Sequence, residues 1–320
     1  MDAEDGSSVS ITPLAGCIGA EIEDIDLAVP LTPRLTAVVR RALEEHRVLI
    51  FRDQHLTHDQ QIAYAGQFGP PAPSHPWVPH VEGHPYVHAL ITGNGERPET
   101  TDEQRHAALW RNPDFLSGWH SDITAAADPP VFCVLRAEKV PSHGGDTIWA
   151  DMVTAYERLS APLRQFADEL TAEHRYLVGY VPFGISDAFT RTSVDAGLVA
   201  HHPVVRALPD TGKRCLFVNP SFTSHINELT PAESRRILDL LFTHATHRDL
   251  TFRHRWTAGD VAMWDNRATI HVAPTDHEKL GQERAMYRVF VAGEPAVGPS
   301  GARSRAISGD PYQVGGVRAR

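Results

Sequence analysis

Apolar and polar positions change rhythm repeatedly along the chain, and each change predicts an element. Residues 11–27 (ITPLAGCIGAEIEDIDL) alternate apolar and polar with glycine breaks, as short strands do. Thr32-Pro33 then predicts a helix start, a threonine cap followed by proline at the first helical position, with Leu35, Val38, Val39 and Leu43 as the apolar face. The unbroken apolar centre of HRVLIFR (46–52) predicts a buried strand. Thr57 caps a second helix that runs to about Phe68, before Gly69 and two prolines. Residues 70–85, rich in Pro and His, predict loop, 86–91 predict a strand, and 92–117 are polar without periodicity. Further strands are expected over 130–139, 147–149, 204–208, 214–218, 250–256, 259–264 and 284–292, the third and fourth of these as a hairpin. Two short helices fit 152–171. The capping box Thr230-Pro231-Ala232-Glu233 opens the clearest helix, with Ile237, Leu238, Leu240 and Leu241 apolar.

Many short strands, few helices and no regular βαβ alternation argue for a mostly antiparallel β core with helices packed outside. A double-stranded β-helix, the cupin-like jelly roll, is the expected architecture, and its mouth is a natural place for a ligand. With no internal repeat and no clean linker, one domain is expected over 11–294. It would sit between a disordered lead-in (1–10) and a loosely attached tail (295–320). The stretches 92–117 and 181–197 are long for loops in a compact domain and are candidate active-site lids.

Composition narrows the partners. Hydrophobic content of 42% and charged content of 22% are ordinary for a globular protein. A formal net charge of −10 gives no electrostatic case for nucleic acid or an anionic membrane, so an anionic small molecule must be met by local Arg or Lys. No apolar run approaches the ~20 residues of a membrane span, and the acidic N-terminus MDAEDGSSVS is unlike a signal peptide. Cys17, Cys133 and Cys215 are far apart, with no C-x-x-C, which indicates neither a disulfide framework nor a thiolate metal site. A cytoplasmic location is the expectation.

The candidate chemistry begins at His120-Ser121-Asp122. On a strand, residues i and i+2 point to one side, so an imidazole and a carboxylate could bite one metal ion together. With 19 histidines, roughly one H-x-D is expected by chance, and a second does occur at His247-Arg248-Asp249, which reads as a solvated helix end. His271, just past the apolar run at 261–264, is the candidate third ligand. Two His and one carboxylate on one face, with other positions open, suit non-haem Fe(II) and its oxygen chemistry. In RAMYRVFV, Arg284 and Arg288 share one face of the expected strand. Buried guanidiniums are costly unless they meet anions, which points to a carboxylate cosubstrate held against the metal.

The set H-S-D at 120–122, G-G-D-T at 144–147, W-D-N-R-A-T-x-H at 264–271 and R-A-M-Y-R at 284–288 resembles the TauD/TfdA family of Fe(II)- and 2-oxoglutarate-dependent dioxygenases. P-L-A-G-x-I-G-A-E-I at 13–22 and F-V-N-P-S-F-T-S-H-I at 217–226 are similar too. The resemblance implies Fe(II) on His120, Asp122 and His271, and 2-oxoglutarate held by Thr147 and Arg284. O2 would be consumed and succinate and CO2 released. It implies Arg288 as the grip on the substrate's anionic group, with His75 and Phe222 lining the substrate pocket. Val78 and Leu116 stand where the taurine-oxidising member of the family has a tyrosine and an asparagine. Those apolar replacements cannot satisfy a small zwitterion. They direct the expectation to a larger, hydrophobic, carboxylate-bearing substrate, such as a terpenoid acid of natural-product biosynthesis. Trp77 and Phe183 are further candidate lining residues. An alkyl sulfate, sulfonate or aryloxyalkanoate is the catabolic alternative. A zinc hydrolase on the same three ligands and a non-catalytic ligand-binding barrel are the alternatives of another class. A homodimer or homotetramer is expected.

Overall fold

The central strands are apolar on both faces, and the fold gives each face a partner. The computed structural model describes residues 9–73, 80–92, 118–175, 197–274, 276 and 280–309. The first half comprises β1 (Ser10–Pro13), β2 (Ala20–Glu23), α1 (Pro33–His46), β3 (Val48–Phe51), α2 (His58–Gly66), β4 (Pro71–Ala72), β5 (His80–Val81) and β6 (His84–Thr92). Next come β7 (Phe132–Lys139), β8 (Thr147–Asp151), α3 (Met152–Glu157), α4 (Ala161–Asp168), β9 (Thr171–Arg175), β10 (Val199–Pro203), β11 (Val205–Ala207), β12 (Arg214–Leu216) and β13 (Thr223–Ile226). The chain closes with α5 (Pro231–Ala245), β14 (Thr251–His254), β15 (Val261–Asp265), β16 (Thr269–Val272), β17 (Arg284–Val291) and β18 (Arg305–Ser308).

The major sheet runs β1-β2-β3-β15-β7-β17-β6-β5, with β4 also paired to β17. Here β2 and β3 are parallel, whereas β3, β15, β7, β17 and β6 pair antiparallel. Its strands alternate between two cores. Leu49, Phe51, Val134, Val261, Met263, Val289 and Val291 face Val39, Leu43, Tyr64 and Phe68 around α1 and α2. On the other side Ile50, Cys133, Leu135, Trp264, Met286 and Phe290 meet Trp149 of β8 and Phe252 of β14. Strands covered on both sides lose the polar half of the alternation, which is why VLIF of β3 is buried throughout. The minor sheet is β14-β8-β16. Behind it, α3 and α5 pack with β11 and β12 into a third cluster built on Tyr156, Leu216, Leu238 and Leu241. The jelly roll expected from the pattern is the fold observed.

The helix starts carry the caps read from the sequence. Thr32 Oγ1 accepts from Leu35 N at 3.3 Å, and Thr57 and Gln60 form a reciprocal capping box. Thr230 and Glu233 form another. Three expectations are corrected. The expected loop 70–85 contains β4, β5 and the start of β6, because those short pieces hydrogen-bond along β17 and β6. Ser10, placed in the lead-in, opens β1. Of the expected loose tail, residues 296–308 are tied down: Ala296 and Ser304 are buried and β18 pairs with β10. Residues 93–117 and 181–196, the bulk of both candidate lids, lie outside the described residues. Among the described residues, no helix is long and apolar enough to cross a membrane.

Candidate active site

His120 and His271 are brought together by a single rung of antiparallel pairing. His120 N donates to the His271 carbonyl at 2.9 Å, and His271 N donates to the His120 carbonyl at 2.7 Å. Residues directly opposite in such a pair project side by side, and the two imidazole centroids lie 4.2 Å apart. His271 stands opposite Trp149 across β16–β8, and Trp149 opposite Phe252 across β8–β14, so the row continues inward as packed aromatics. The expectation that His120 and Asp122 share one strand is corrected. His120 makes one bridge, and the chain then enters a turn in which Ile123 has φ +56°. Asn266 holds that turn in place. Its Oδ1 accepts from Asp122 N at 2.8 Å, while its Nδ2 donates to the Asp122 carbonyl at 3.1 Å and the Pro130 carbonyl at 3.0 Å.

His120, Asp122 and His271 offer ligand atoms that all lie within 4.8 Å of one another. Both His120 Nε2 to Asp122 Oδ1 and His271 Nε2 to Asp122 Oδ2 measure 3.8 Å, too long for hydrogen bonds. Metal–ligand bonds of about 2 Å put neighbouring donors about 3 Å apart, so a small contraction closes the set on one ion. His120 Nδ1 donates to the Gly118 carbonyl at 2.7 Å, which leaves Nε2 as the lone-pair nitrogen. Burial lowers the pKa of both imidazoles, that of His271 well below the usual histidine range, and keeps them neutral as ligands must be. Burial alone would raise the Asp122 carboxyl, but the Arg288 guanidinium outweighs it and holds it below the usual carboxylate range. Two neutral nitrogens and one carboxylate, buried and convergent, fit a divalent iron.

Arg288 makes contacts the sequence reading did not assign. Its Nη1 donates to Asp122 Oδ1 and its Nη2 to His88 Nδ1 at 2.8 Å, with its Cζ 4.4 Å from the Phe290 ring centroid. The residue expected to grip a substrate anion therefore also braces an iron ligand. Cys133 adds a second brace. Its pKa is raised well above the ordinary thiol value by burial, so it stays protonated and donates to Asp122 Oδ2 at 3.3 Å.

Arg284 is buried, and its Nε donates to the Gly145 carbonyl at 3.1 Å. Gly145 has φ +68°, and a Cβ there would lie 3.2 Å from Arg284 Cδ and 3.2 Å from Pro141 Cγ. The G-G-D-T turn thus needs glycine both for its backbone and for the approach of the arginine. Burial lowers the Arg284 pKa to about 10, which still leaves it cationic at neutral pH. Thr147 Oγ1 accepts from Trp256 Nε1 at 2.9 Å, so its own hydrogen remains to donate to an anion. Phe222 is buried, with its ring centroid 6.4 Å from that of His120.

The structure brings together His120, Asp122, His271, Arg288 and Phe222, with Thr147 buried on β8 and Arg284 buried on β17. His75, Val78 and Leu116, like Trp77 and Phe183, lie outside the described residues. The triplet at 247–249 is an exposed 3-10 turn in which His247 Nδ1 caps the backbone of Asp249. Sequence reading missed Asn266, Cys133, Trp256 and His88. Asn266 lay inside a quoted motif, but no local pattern gives it a role. The other three become visible only when distant strands are paired.

The model of the family described as taurine catabolism dioxygenase TauD, TfdA family, matches residues 10–290. An alpha-ketoglutarate-dependent sulfate ester dioxygenase from Pseudomonas putida is 36% identical, over 93% of this chain and 94% of that protein. A 2,4-dichlorophenoxyacetate dioxygenase from Cupriavidus pinatubonensis is 34% identical over 82% and 91%. Among solved structures, a taurine dioxygenase from Burkholderia xenovorans superposes with a TM-score of 0.80 at 42% identity, covering 96% of this chain and 97% of that one. The structure of AAD-2 with Mn(II) and N-oxalylglycine gives a TM-score of 0.69 at 26% identity, over 90% and 98%. These relationships set aside the zinc-hydrolase and non-catalytic readings. The chain belongs to the TauD/TfdA family and is an Fe(II)- and 2-oxoglutarate-dependent dioxygenase that consumes O2.

Proposed function

We propose that the substrate is a hydrophobic organic sulfate ester, oxidised at the carbon that bears the sulfate. The observation that carries this reading is a cation and an aromatic wall meeting at the metal ligands, Arg288 on Asp122 and Phe222 beside His120. Two relatives support it: the sulfate ester dioxygenase already described and a protein named alkylsulfatase from Acinetobacter baylyi, 32% identical over 93% of this chain and 89% of that one. The expectation of a hydrophobic anion is kept, and the terpenoid carboxylate gives way to a sulfate.

Iron held by His120, Asp122 and His271, with 2-oxoglutarate and O2, supplies the oxidising power when bound. The chain's own part is positioning and shielding. Arg284 offers a planar fork, and Thr147 a hydroxyl donor, to the carboxylates of 2-oxoglutarate. Arg288 uses one hydrogen of each Nη on Asp122 and His88, and one remaining hydrogen on each can meet a sulfate. Phe222 gives the substrate's hydrocarbon an apolar surface, and burial of both arginines strengthens their hold on anions.

The test is an aerobic assay with hexyl sulfate and with an aryloxyacetate, following sulfate or phenol together with succinate. The expected result is equimolar succinate, sulfate and hexanal, since a carbon carrying both hydroxyl and sulfate expels sulfate as its O–H proton leaves. Arg288→Ala should lower kcat/KM for hexyl sulfate by about 100-fold, the scale of a lost charge-assisted hydrogen bond. Faster turnover of the aryloxyacetate, or succinate formation that hexyl sulfate does not stimulate, would reject the reading.

A further inference from the structure

The family model's match ends at residue 290, yet the chain beyond it returns to the metal loop. β18 adds to the edge of the sheet β13-β9-β10-β18, and Ser304, just before it, is 7% exposed. Ser304 Oγ accepts from Ala296 N at 3.1 Å and lies 2.6 Å from His202 Nδ1. His202 Nε2 lies 2.7 Å from the Thr124 carbonyl. A carbonyl only accepts, so Nε2 carries the hydrogen. Burial lowers the His202 pKa to about 3, so the ring is neutral, Nδ1 is an acceptor and the Ser304 hydroxyl must donate. Every proton in this relay therefore has one direction: Ala296 N–H to Ser304, Ser304 O–H to His202, His202 N–H to Thr124.

Thr124 is two residues from the iron ligand Asp122, in the turn that contains Ile123 at φ +56°. Its hydroxyl is bound as well. Asn219 Nδ2 donates to Thr124 Oγ1 at 3.2 Å, and His174 Nδ1 lies 3.0 Å away. His174 Nε2 is 3.0 Å from Thr223 Oγ1, which accepts from Asn219 N at 2.9 Å. Asn219 Oδ1 accepts from Phe222 N at 2.9 Å, so the same network sets the aromatic beside His120. Thr124, His174, His202, Asn219 and Thr223 are all buried. A buried polar network in which every side-chain nitrogen and oxygen has a partner specifies one arrangement, since breaking a link strands a polar group without water.

We infer that the C-terminal segment 296–308 is a positioning element of the active site, acting through Ser304, His202 and Thr124 on the turn that presents Asp122 to iron. Ser304 and His202 are positioning residues; neither touches a ligand of the metal.

The test compares Ser304→Ala, Ser304→Cys and Arg305→Ala with the wild-type full chain. Arg305, the next residue, opens β18, is exposed and bonds His201, outside the relay, so it controls for loosening of the strand itself. The readouts are the Fe(II) dissociation constant, the position of the anaerobic absorption band with Fe(II) and 2-oxoglutarate, and the Tm of the metal-free protein. Ser304→Ala should weaken Fe(II) about three- to tenfold, less than the 10- to 100-fold typical of groups bonded directly to a ligand, and should move the band. Ser304→Cys, a weaker donor of similar size, should fall between alanine and wild type and carries the test if the alanine variant does not fold. Arg305→Ala should match wild type in affinity and band. Wild-type affinity and band in both Ser304 variants, whatever their Tm, would overturn the inference. Equal weakening by Arg305→Ala would overturn it too.

Discussion

His120-Ser121-Asp122 and His247-Arg248-Asp249 have the same spacing and opposite surroundings. Asp122 is 3% exposed and is approached by Arg288, Cys133 and Asn266, each from a different part of the chain. Asp249 is exposed, and its neighbour His247 spends its ring nitrogen on a local turn. The spacing is therefore only permissive. What makes a ligand pair is burial that keeps the imidazole neutral, together with enough donors to keep the carboxylate charged. The first triplet has both because it borders β16 and faces β17; the second sits where α5 ends in solvent.

The comparison breaks most sharply by removing each carboxylate. Asp122→Ala should abolish turnover and Fe(II) binding. It should also destabilise the metal-free protein by about 3–5 kcal/mol, because it leaves Arg288 buried without its anion. Asp249→Ala should change stability by no more than about 0.5 kcal/mol and leave Fe(II) affinity unchanged. Urea unfolding and Fe(II) titration of both variants decide the matter. Equal losses would mean that the surroundings of Asp122 do not distinguish it.

A smaller effect isolates one donor. Asn266→Ala removes three hydrogen bonds around the Asp122 turn and no ligand, so Fe(II) affinity should fall about 10- to 100-fold while the ligand set stays whole. The same substitution has no counterpart at the second triplet, whose turn is held by its own residues. Unchanged affinity in Asn266→Ala would show that pairing with β16 alone positions Asp122.

Much of this was legible in the chain, and the limits follow from range. Caps at Thr32, Thr57 and Thr230 involve residues three apart and were read correctly, as was the double-stranded β-helix from the density of short strands. His120, Asp122 and His271 were legible as candidates because their residue types carry the chemistry. The strand assumed to join His120 to Asp122 was not there, since the rung that orients His120 is made by a partner 151 residues on. β9, β10, β13, β16 and β18 went unread because each is short and mixed in polarity, and becomes a strand only on its neighbour. His174 and His202 are polar in the sequence and buried in the fold, with every ring nitrogen spent on Thr124, Thr223 or Ser304.

That burial makes the stability of the folded chain depend on pH. His202 is held neutral with its pKa lowered to about 3 by burial, and His174 is lowered well below its ordinary value by the same cause. In the unfolded chain each takes up a proton near pH 6.5. The unfolded state thus binds more protons as pH falls, and the stability these rings confer is present above about pH 6.5 and lost progressively down to about pH 3. For His202 alone the loss should reach about 2 kcal/mol between pH 7.5 and pH 5, at 1.36 kcal/mol per pH unit below the unfolded pKa. Urea unfolding of the metal-free protein at pH 7.5 and pH 5.0 checks this in two chains. On acidification His202→Gln, which keeps a donor for the Thr124 carbonyl but has no titrating ring, should lose about 2 kcal/mol less than wild type. An unchanged pH dependence in His202→Gln would mean that the ring takes up its proton as readily in the folded chain as in the unfolded one. At pH 5 its Nδ1 would then donate to Ser304, and the relay from Ser304 to the metal loop would reverse at that atom.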